Sequence, residues 1–346
     1  MTSAFLCRQR GQVSTDSTPP RVQELERKSV SNYRFPNSRS YNRDTSEGPM
    51  KRSLIAGLML VVLGVSGNIA RAQGGSSCDR ECLRGFVTQY LNAMVAHNPA
   101  ALTTAPNVRF TEDTQTLKLG EGLWKNANAI RPYRMDFIDV RESTTVSHVI
   151  VEEGGMPVML SLRLKIADRK ISEVETMVTR SREQGAIFTI NALQTPRPAM
   201  SNPVDPSKRD SRAELIRISE FYPAGLRVGG SFEAVNAPFA PDAYRIENGS
   251  VMAGPGARAG SENIKTQRII AHPDITYNVQ AVDEELGVAV LRMDFGDTGN
   301  YGAGNALVVV EAFKIYGGQI HAVEAFMRVM KSGSPSGWNY EMKKAR

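Results

Sequence analysis

Apolar residues recur three and four positions apart between residues 79 and 97, a spacing that places them on one stripe of a helix. The stripe consists of Leu83, Phe86, Val87, Tyr90, Leu91 and Met94. A second helix is predicted to begin at Ser211, because Ser211 and Glu214 form a capping box ahead of a further apolar stripe. We expect that helix to end near Pro223.

Each predicted helix is followed by four longer runs rich in β-branched and aromatic residues, which indicate strands. The first four runs are 133–140, 145–151, 158–166 and 171–179, and the second four are 275–282, 287–295, 306–315 and 319–330. A short strand is also expected after the Ala-Pro pairs at 105–106 and 240–241. The pattern therefore predicts a helical opening and a β-rich remainder, twice.

The two sets of elements also share an internal repeat. Ala-Pro at 105 and 240 is followed by Glu at 112 and 247, and then by Gly-x-Gly at 120–122 and 254–256. The ends correspond too, as Ile-x-x-Val-Glu at 171–175 and 320–324. Four matches in one order over such a length predict two copies of one domain.

The repeat sets the predicted domain boundaries. The first domain spans 73–190 and the second 211–332, with a linker at 191–210 that holds four prolines and a C-terminal tail at 333–346. The predicted fold class is α+β, with two tandem cone-shaped domains, each a curved antiparallel sheet wrapped around N-terminal helices. Such a sheet leaves a pocket between its concave face and the helices.

Three segments of the first copy resemble a known family. The opening helix at 86–94, together with the element order, resembles the SnoaL-like polyketide cyclase and ketosteroid isomerase superfamily, which has the nuclear transport factor 2 fold. Residues 108–113 and 119–124 resemble a secreted fungal and bacterial family known only as a domain of unknown function. The superfamily includes isomerases, cyclases, dehydratases, epoxide hydrolases and non-catalytic binding modules, so the resemblance implies a fold rather than one activity. Its usual catalytic Asp, Tyr and His cannot be mapped here as a complete set.

The segment from Met50 has the pattern of an export signal. Lys51-Arg52 precedes an apolar run at 54–65 and the small-residue site Ala70-Arg71-Ala72. A signal peptide at 50–72, cut after Ala72, predicts a secreted or periplasmic protein with no membrane span in its mature part. The alternative of a membrane anchor would require ~20 apolar residues. Residues 1–49 are predicted to form a disordered leader, or to precede the true translation start.

The positive charge of the chain lies mostly in this N-terminal part. Residues 1–72 hold 11 basic and 5 acidic side chains, whereas the remainder holds 31 of each. A nucleic-acid-binding protein needs a concentrated basic face. Nucleic acid is therefore excluded as the main partner.

Cys78 and Cys82 are the only cysteine pair after the signal peptide. In an oxidising compartment they are expected to form a disulfide if Cys78 lies before the helix, although two half-buried thiols are the alternative. The four histidines lack the spacing of metal ligands, so neither a metal nor a cofactor is predicted.

The candidate catalytic residues are polar groups that could enter an apolar pocket. They are Glu112, His148, His272, Asp294 and His321. Glu112 has a counterpart in Glu247. A carboxylate that is repeated in both copies is also typical of a structural residue that caps backbone N–H groups. A single histidine on a strand is likewise more often part of a core.

Seven further residues are predicted to line the ligand pockets. They are Tyr90, Trp124, Tyr133, Glu175, Tyr222, Tyr277 and Glu324. For the aromatic residues the alternative is core packing, and for the two glutamates it is a solvent-facing position, because an alternation of two does not say which face is buried.

The sequence favours an exported protein that binds a small apolar or mixed molecule, with catalysis an option. One alternative is an isomerase, lyase or hydrolase that performs acid and base chemistry in a single pocket. The other is a structural module whose sheets pack into a homodimer.

Overall fold

The computed structural model describes residues 78–333, 338 and 341–346. The predicted leader, the signal peptide and its cleavage site lie outside these residues. Within them, each of two sheets is preceded by helices, and both sheets belong to one compact unit.

The first half begins with helix α1, Arg80–Val95. Asp79 caps this helix through a hydrogen bond that its carboxylate accepts from the Cys82 backbone N–H, at 2.9 Å. Cys78 and Cys82 form a disulfide at the same helix start. Six strands follow: β1 Thr104–Glu112, β2 Gln115–Leu117, β3 Ala127–Asp139, β4 Thr144–Glu153, β5 Met156–Ala167 and β6 Lys170–Thr179.

Two short helices, α2 Arg182–Gly185 and α3 Pro198–Ser201, lie between the halves, and the second half opens with α4 Arg212–Ser219 and α5 Phe221–Val228. Its strands are β7 Phe239–Glu247, β8 Ser250–Ala253, β9 Thr276–Asp283, β10 Val288–Asp294, β11 Asn305–Tyr316, β12 Gln319–Lys331 and β13 Lys343–Lys344. Single 3₁₀ turns occur at Pro99–Ala101, Gly122–Lys125, Ile190–Ala192, Pro206–Lys208 and Phe232–Val235. All eight longer predicted strands are present.

The two sheets share one topology. The first has the order β2-β1-β6-β5-β4-β3, and the second has the corresponding order β8-β7-β12-β11-β10-β9 with β13 added at its edge. The sheets are mixed rather than antiparallel throughout, because β1 pairs in parallel with β6 and β7 pairs in parallel with β12. The prediction of an antiparallel sheet was wrong at these positions, since an alternating pattern reports which residues share a face and not the direction of the neighbouring strand.

The predicted end of the second helix near Pro223 was also wrong. Pro223 lies in the first turn of α5, and helical structure continues to Val228. Proline is tolerated in a first turn because the N–H it lacks would have no partner inside the helix. The helix that follows Ser211, α4, ends at Ser219, before Pro223 is reached. The next helix, α5, ends at Gly229, which has a positive φ of 76°.

Each sheet packs one face against its own helices and the other face against the other sheet. We call the cluster under α1 the first core and the cluster under α4 and α5 the second core. A third cluster joins the outer faces of the two sheets and includes Tyr133, Phe137, Val290, Val310 and Phe326. The two halves therefore have separate cores and one common interface.

Two buried aspartates tie the halves together in a reciprocal way. Asp283 of the second half accepts two hydrogen bonds from Arg80 of the first, both at 2.8 Å, and a third from the Ile138 backbone N–H at 2.9 Å. Asp139 of the first half makes the corresponding contacts with Arg212 of the second, at 2.8 and 2.9 Å. Each half therefore supplies one aspartate and one arginine to the other, as two identical subunits do across the interface of a symmetric dimer.

Candidate functional site

A cluster of polar side chains lies inside the second core. Glu311 alternates along β11 with residues of the sheet interface, so it points to the same face as Val309 and Phe313. Arg245 on β7 points to this face as well and contacts Tyr222 of α5. Glu311 is 1% exposed and Arg245 is 6% exposed. Charged groups buried this deeply need partners or a changed protonation state.

Arg245 is the centre of the cluster. Its Nη1 donates to the Tyr222 hydroxyl at 3.1 Å, and its Nη2 donates to Oε1 of Gln267 at 2.9 Å. Its Nε lies 3.3 Å from Oε1 of Glu247. The Tyr222 hydroxyl also hydrogen-bonds to the Glu311 carboxyl group. Arg245 and Glu247 therefore neutralise each other beside Glu311.

Glu311 differs from its neighbours in its protonation. Burial raises the pKa of its carboxyl group to about 8, and the negative charge of Glu247 adds to this shift while Arg245 opposes it. Glu311 is thus mostly protonated at neutral pH and can donate a hydrogen bond. Among the described residues, none makes a hydrogen bond to its Oε2. A buried polar atom without a partner costs about 1–3 kcal/mol, so Oε2 of Glu311 destabilises the second core as long as it has no hydrogen-bond partner.

Tyr301 and His272 lie at the edge of the second core. Tyr301 belongs to the glycine-rich loop between β10 and β11, is only partly buried, and packs against the core. Its hydroxyl lies 3.0 Å from Nε2 of His272. Burial raises the pKa of Tyr301 to about 12 and lowers the pKa of His272, so both rings are uncharged at neutral pH. Tyr301 lies close enough to the cluster that the charges of Glu247 and Arg245 both act on its pKa.

The positions of the first core that are equivalent to Arg245 and Glu311 are apolar. Phe110 takes the place of Arg245, because Phe110 pairs with Val174 on β6 as Arg245 pairs with Val323 on β12. Leu162 takes the place of Glu311 in the corresponding pair of antiparallel strands. Tyr90 and Trp124 fill the first core and satisfy each other through a 2.8 Å hydrogen bond from the indole N–H to the hydroxyl. The same fold therefore exists with and without the buried charges. Arg245 and Glu311 are therefore not required by the fold, which favours a functional role for these two residues.

Glu112 acts as a cap in this structure. Its two carboxylate oxygens accept from the Leu123 backbone N–H at 2.9 and 3.2 Å. Burial raises the pKa of its carboxyl group to about 7, while this hydrogen bond and Arg180, 3.7 Å away, act in the opposite direction. The contact holds the 3₁₀ turn Gly122–Lys125 against β1. It also requires glycine at 122, since a Cβ there would lie 2.6 Å from both carboxylate oxygens.

Substitution of Gly122 tests this contact. Gly122 and Gly154 have similar positive φ values, 64° and 57°, but a Cβ at 154 would meet no atom within 4 Å. Both alanine variants suffer the cost of a left-handed conformation, of about 1 kcal/mol. We expect Gly122→Ala to be less stable than Gly154→Ala by at least ~1 kcal/mol, because it alone displaces Glu112. Chemical denaturation measures the difference, and equal losses would show that the contact contributes nothing.

The other candidate residues lie in several places. His148, 1% exposed, stacks on Phe326 between the sheets, and burial lowers the pKa of its imidazole to about 3. His321 stacks on Tyr316 at the start of β12, and Asp294 accepts a hydrogen bond from the backbone N–H of Gly296 in the following loop. The structure therefore brings none of these three into the second core.

The predicted pocket residues are divided in the same way. Tyr222 belongs to the second core, and Tyr277 donates to Glu220 at its edge. Glu324 lies between the sheets, where it accepts from Tyr133 at 3.2 Å and from Tyr244 at 2.7 Å. Glu175 is also between the sheets, with Arg163 at 3.0 Å and Arg292 at 3.5 Å. Tyr90 and Trp124 fill the first core.

Sequence reasoning missed Arg245 and Glu311. A signal for each was present, because Glu311 interrupts an apolar run at 306–313 and Arg245 stands among apolar residues on β7. A lone charge within a run that is otherwise buried is expected to be buried with it.

No group of three or more His, Cys, Asp or Glu side chains suited to a metal occurs among residues 78–333, 338 and 341–346. In the same part of the chain, no helix has the length and apolarity to cross a bilayer.

Comparison with known proteins finds one family model that is similar to part of the chain. Residues 208–327 match the family model of a domain of unknown function, DUF8021. This range begins just before α4 and ends within β12, so it contains the whole polar cluster of the second core. No curated protein is significantly similar to the chain. Among solved structures, one match is a de novo designed protein with a curved β-sheet. The match covers 29% of this chain and 88% of the designed protein, with 19% sequence identity and a TM-score of 0.26.

Proposed function

We propose that the chain is an exported protein of two tandem cone-shaped domains, in which the second cone binds a small molecule. The observation that carries this proposal is Glu311, a buried and protonated carboxyl group with an unpartnered oxygen. A ligand with a carbonyl or hydroxyl group would accept the hydrogen bond that Glu311 can donate. Such an interaction would offset the cost of burying this atom.

The charge balance indicates the class of ligand. Arg245 and Glu247 neutralise each other at 3.3 Å, and Glu311 is mostly uncharged at neutral pH. A charged ligand would lose its hydration in this core without a free counter-charge. An uncharged molecule with an apolar body and one or two oxygen acceptors fits best. It would enter where Tyr301 packs against the core, by displacement of that loop.

Acid and base catalysis is the second candidate. A carboxyl group with a pKa of about 8 exchanges its proton near neutral pH, as a general acid or base must. Tyr222 and Arg245 adjoin Glu311 and could stabilise a negatively charged oxygen that develops on the substrate. The reaction classes consistent with such a group are isomerisation, elimination and hydrolysis.

A ligand screen with matched variants tests the proposal. Uncharged ketones, esters and fatty alcohols are titrated into the protein by ligand-observed NMR. Glu311→Leu introduces the residue that the first core carries at the same register, Leu162, so it is suited to fold. We expect at least one compound to bind the wild type and to lose tenfold or more affinity in this variant, a change of about 1.4 kcal/mol.

The control is Glu324→Gln, which changes a buried glutamate whose oxygens are both occupied between the sheets. It should bind the same compound with unchanged affinity. Compounds that bind equally well to Glu311→Leu, or a panel with no binding compound, would refute the proposed site.

A further inference from the structure

A large open groove lies where the two halves meet, away from the second core. Its volume is about 710 Å³, which is sufficient for a small polar molecule. Both halves contribute to it, the first through β1 and β5 and the second through α4 and β9. Trp338 lies at this groove as well. None of the polar residues of the second core described above lines it.

The lining of the groove is predominantly cationic. Among the described residues it includes five basic and two acidic side chains: Arg109, Arg163, Lys165, Arg212, Lys343, Glu142 and Glu173. Each of the two carboxylates already faces a cation of the lining, Glu173 at 2.7 Å from Arg163 and Glu142 at 3.7 Å from Lys165. Two further cations of the lining face carboxylates outside it, Arg212 at 2.8 Å from Asp139 and Lys343 at 3.7 Å from Glu220. Among the described residues, Arg109 is therefore the cation of the lining that has no ion-pair partner.

Arg109 is the cation best placed to bind a ligand. It is half-buried on β1, and it takes part in none of the ion pairs of the described residues. Its guanidinium lies 4.8 Å from the ring centre of Trp338, and the guanidinium of Arg163 lies 5.1 Å from the same ring. The indole is itself held by a 3.0 Å hydrogen bond to Thr111. Trp338 thus fixes two guanidinium groups beside each other, which reduces the entropy lost when an anion binds.

The guanidinium of Arg109 is a suitable partner for an oxyanion, whereas the guanidinium of Arg163 already pairs with Glu173 and Glu175. Arginine presents paired N–H donors that match the two oxygens of a carboxylate, sulfate or phosphate group. We propose that this groove binds a small anionic molecule through Arg109. Asn107 and Asn278 also line the groove, where their amide groups can hydrogen-bond to polar groups on the remainder of the ligand.

Titration of the full protein with phosphate, sulfate and citrate tests this proposal. Each is added at constant ionic strength, set with sodium chloride, so that general screening does not mimic binding. We expect at least one of them to bind with a Kd of about 1 mM or tighter. Arg109→Gln, which keeps hydrogen-bonding ability but removes the charge, should weaken that binding at least fivefold. Binding of all three anions would indicate a general oxyanion site, whereas preference for citrate would indicate carboxylates.

The matched control is Arg84→Gln on α1, a 41% exposed arginine that pairs with Glu81 outside the groove. The affinity of the Arg84→Gln variant for each anion should equal that of the wild type. The proposal is overturned if the wild type binds none of the three anions below about 10 mM, or if Arg84→Gln weakens binding as much as Arg109→Gln does.

Discussion

Replacement of Asp283 by asparagine is expected to lower the free energy of unfolding by about 3–5 kcal/mol. Its carboxylate is completely buried and accepts from Arg80 twice, from the Ile138 backbone N–H and from the Leu286 backbone N–H at 3.0 Å. Asparagine keeps the size of the side chain but removes the nearer of the two carboxylates that face Arg80, leaving only Glu285 at 3.5 Å. Chemical denaturation of the full protein, followed by circular dichroism, measures the loss.

The reciprocal interface predicts a similar loss at Asp139. Asp139 is 1% exposed and accepts from Arg212 and from the Val282 backbone N–H at 2.8 Å. The control is Glu284→Gln, because Glu284 pairs at 2.7 Å with the exposed Arg141 across the same boundary. Such a surface pair contributes about 0–1 kcal/mol. If the Asp283 and Glu284 variants lost equal stability, the two halves would not depend on the buried pairs.

Substitution of Glu311 by glutamine is expected to change how stability depends on pH. The pKa of Glu311 is raised from its ordinary value of 4.5 to about 8 in the folded protein, chiefly by burial. Between these two values the folded state holds a proton that the unfolded state has lost, so the wild type loses stability as pH rises through this window. Glutamine carries no charge at any pH. Relative to the wild type, Glu311→Gln should therefore gain about 4 kcal/mol between pH 5 and pH 9.

Denaturation curves at a series of pH values measure this difference. Other buried acids with raised pKa values, such as Glu112 and Glu324, are present in both proteins, so their effects cancel in the comparison. Glu284→Gln, at the surface, should follow the wild-type pH profile to within about 1 kcal/mol. Parallel profiles for the wild type and Glu311→Gln would mean that Glu311 ionises in the folded protein as it does in solution.

Much of the fold could be predicted from periodicity and local signals. The apolar stripe marked α1, and the capping box at Ser211 marked the start of α4, where the Ser211 hydroxyl accepts from the Glu214 backbone N–H at 3.3 Å. The eight longer strands followed from runs of β-branched residues, and the repeat indicated the common order of both sheets. These signals are local, so they do not depend on how the sheets pack.

The placement of side chains could not be predicted in the same way. Alternation shows that Glu175 and Glu324 share a face with neighbours two positions away, but both faces of each sheet are buried here. The pattern therefore did not distinguish the core beneath the helices from the interface between the sheets. Glu311 was missed for the opposite reason, because its strand was interpreted from its apolar residues alone.

The most direct test of the account is the titration of the Glu311 carboxyl group itself. In protein labelled with ¹³C at glutamate carboxyl carbons, the resonance that disappears in Glu311→Gln belongs to this residue. We predict that its chemical shift changes with a midpoint near pH 8. A midpoint near 4.5, the ordinary value, would show that the second core holds no protonated acid and would contradict the proposed site.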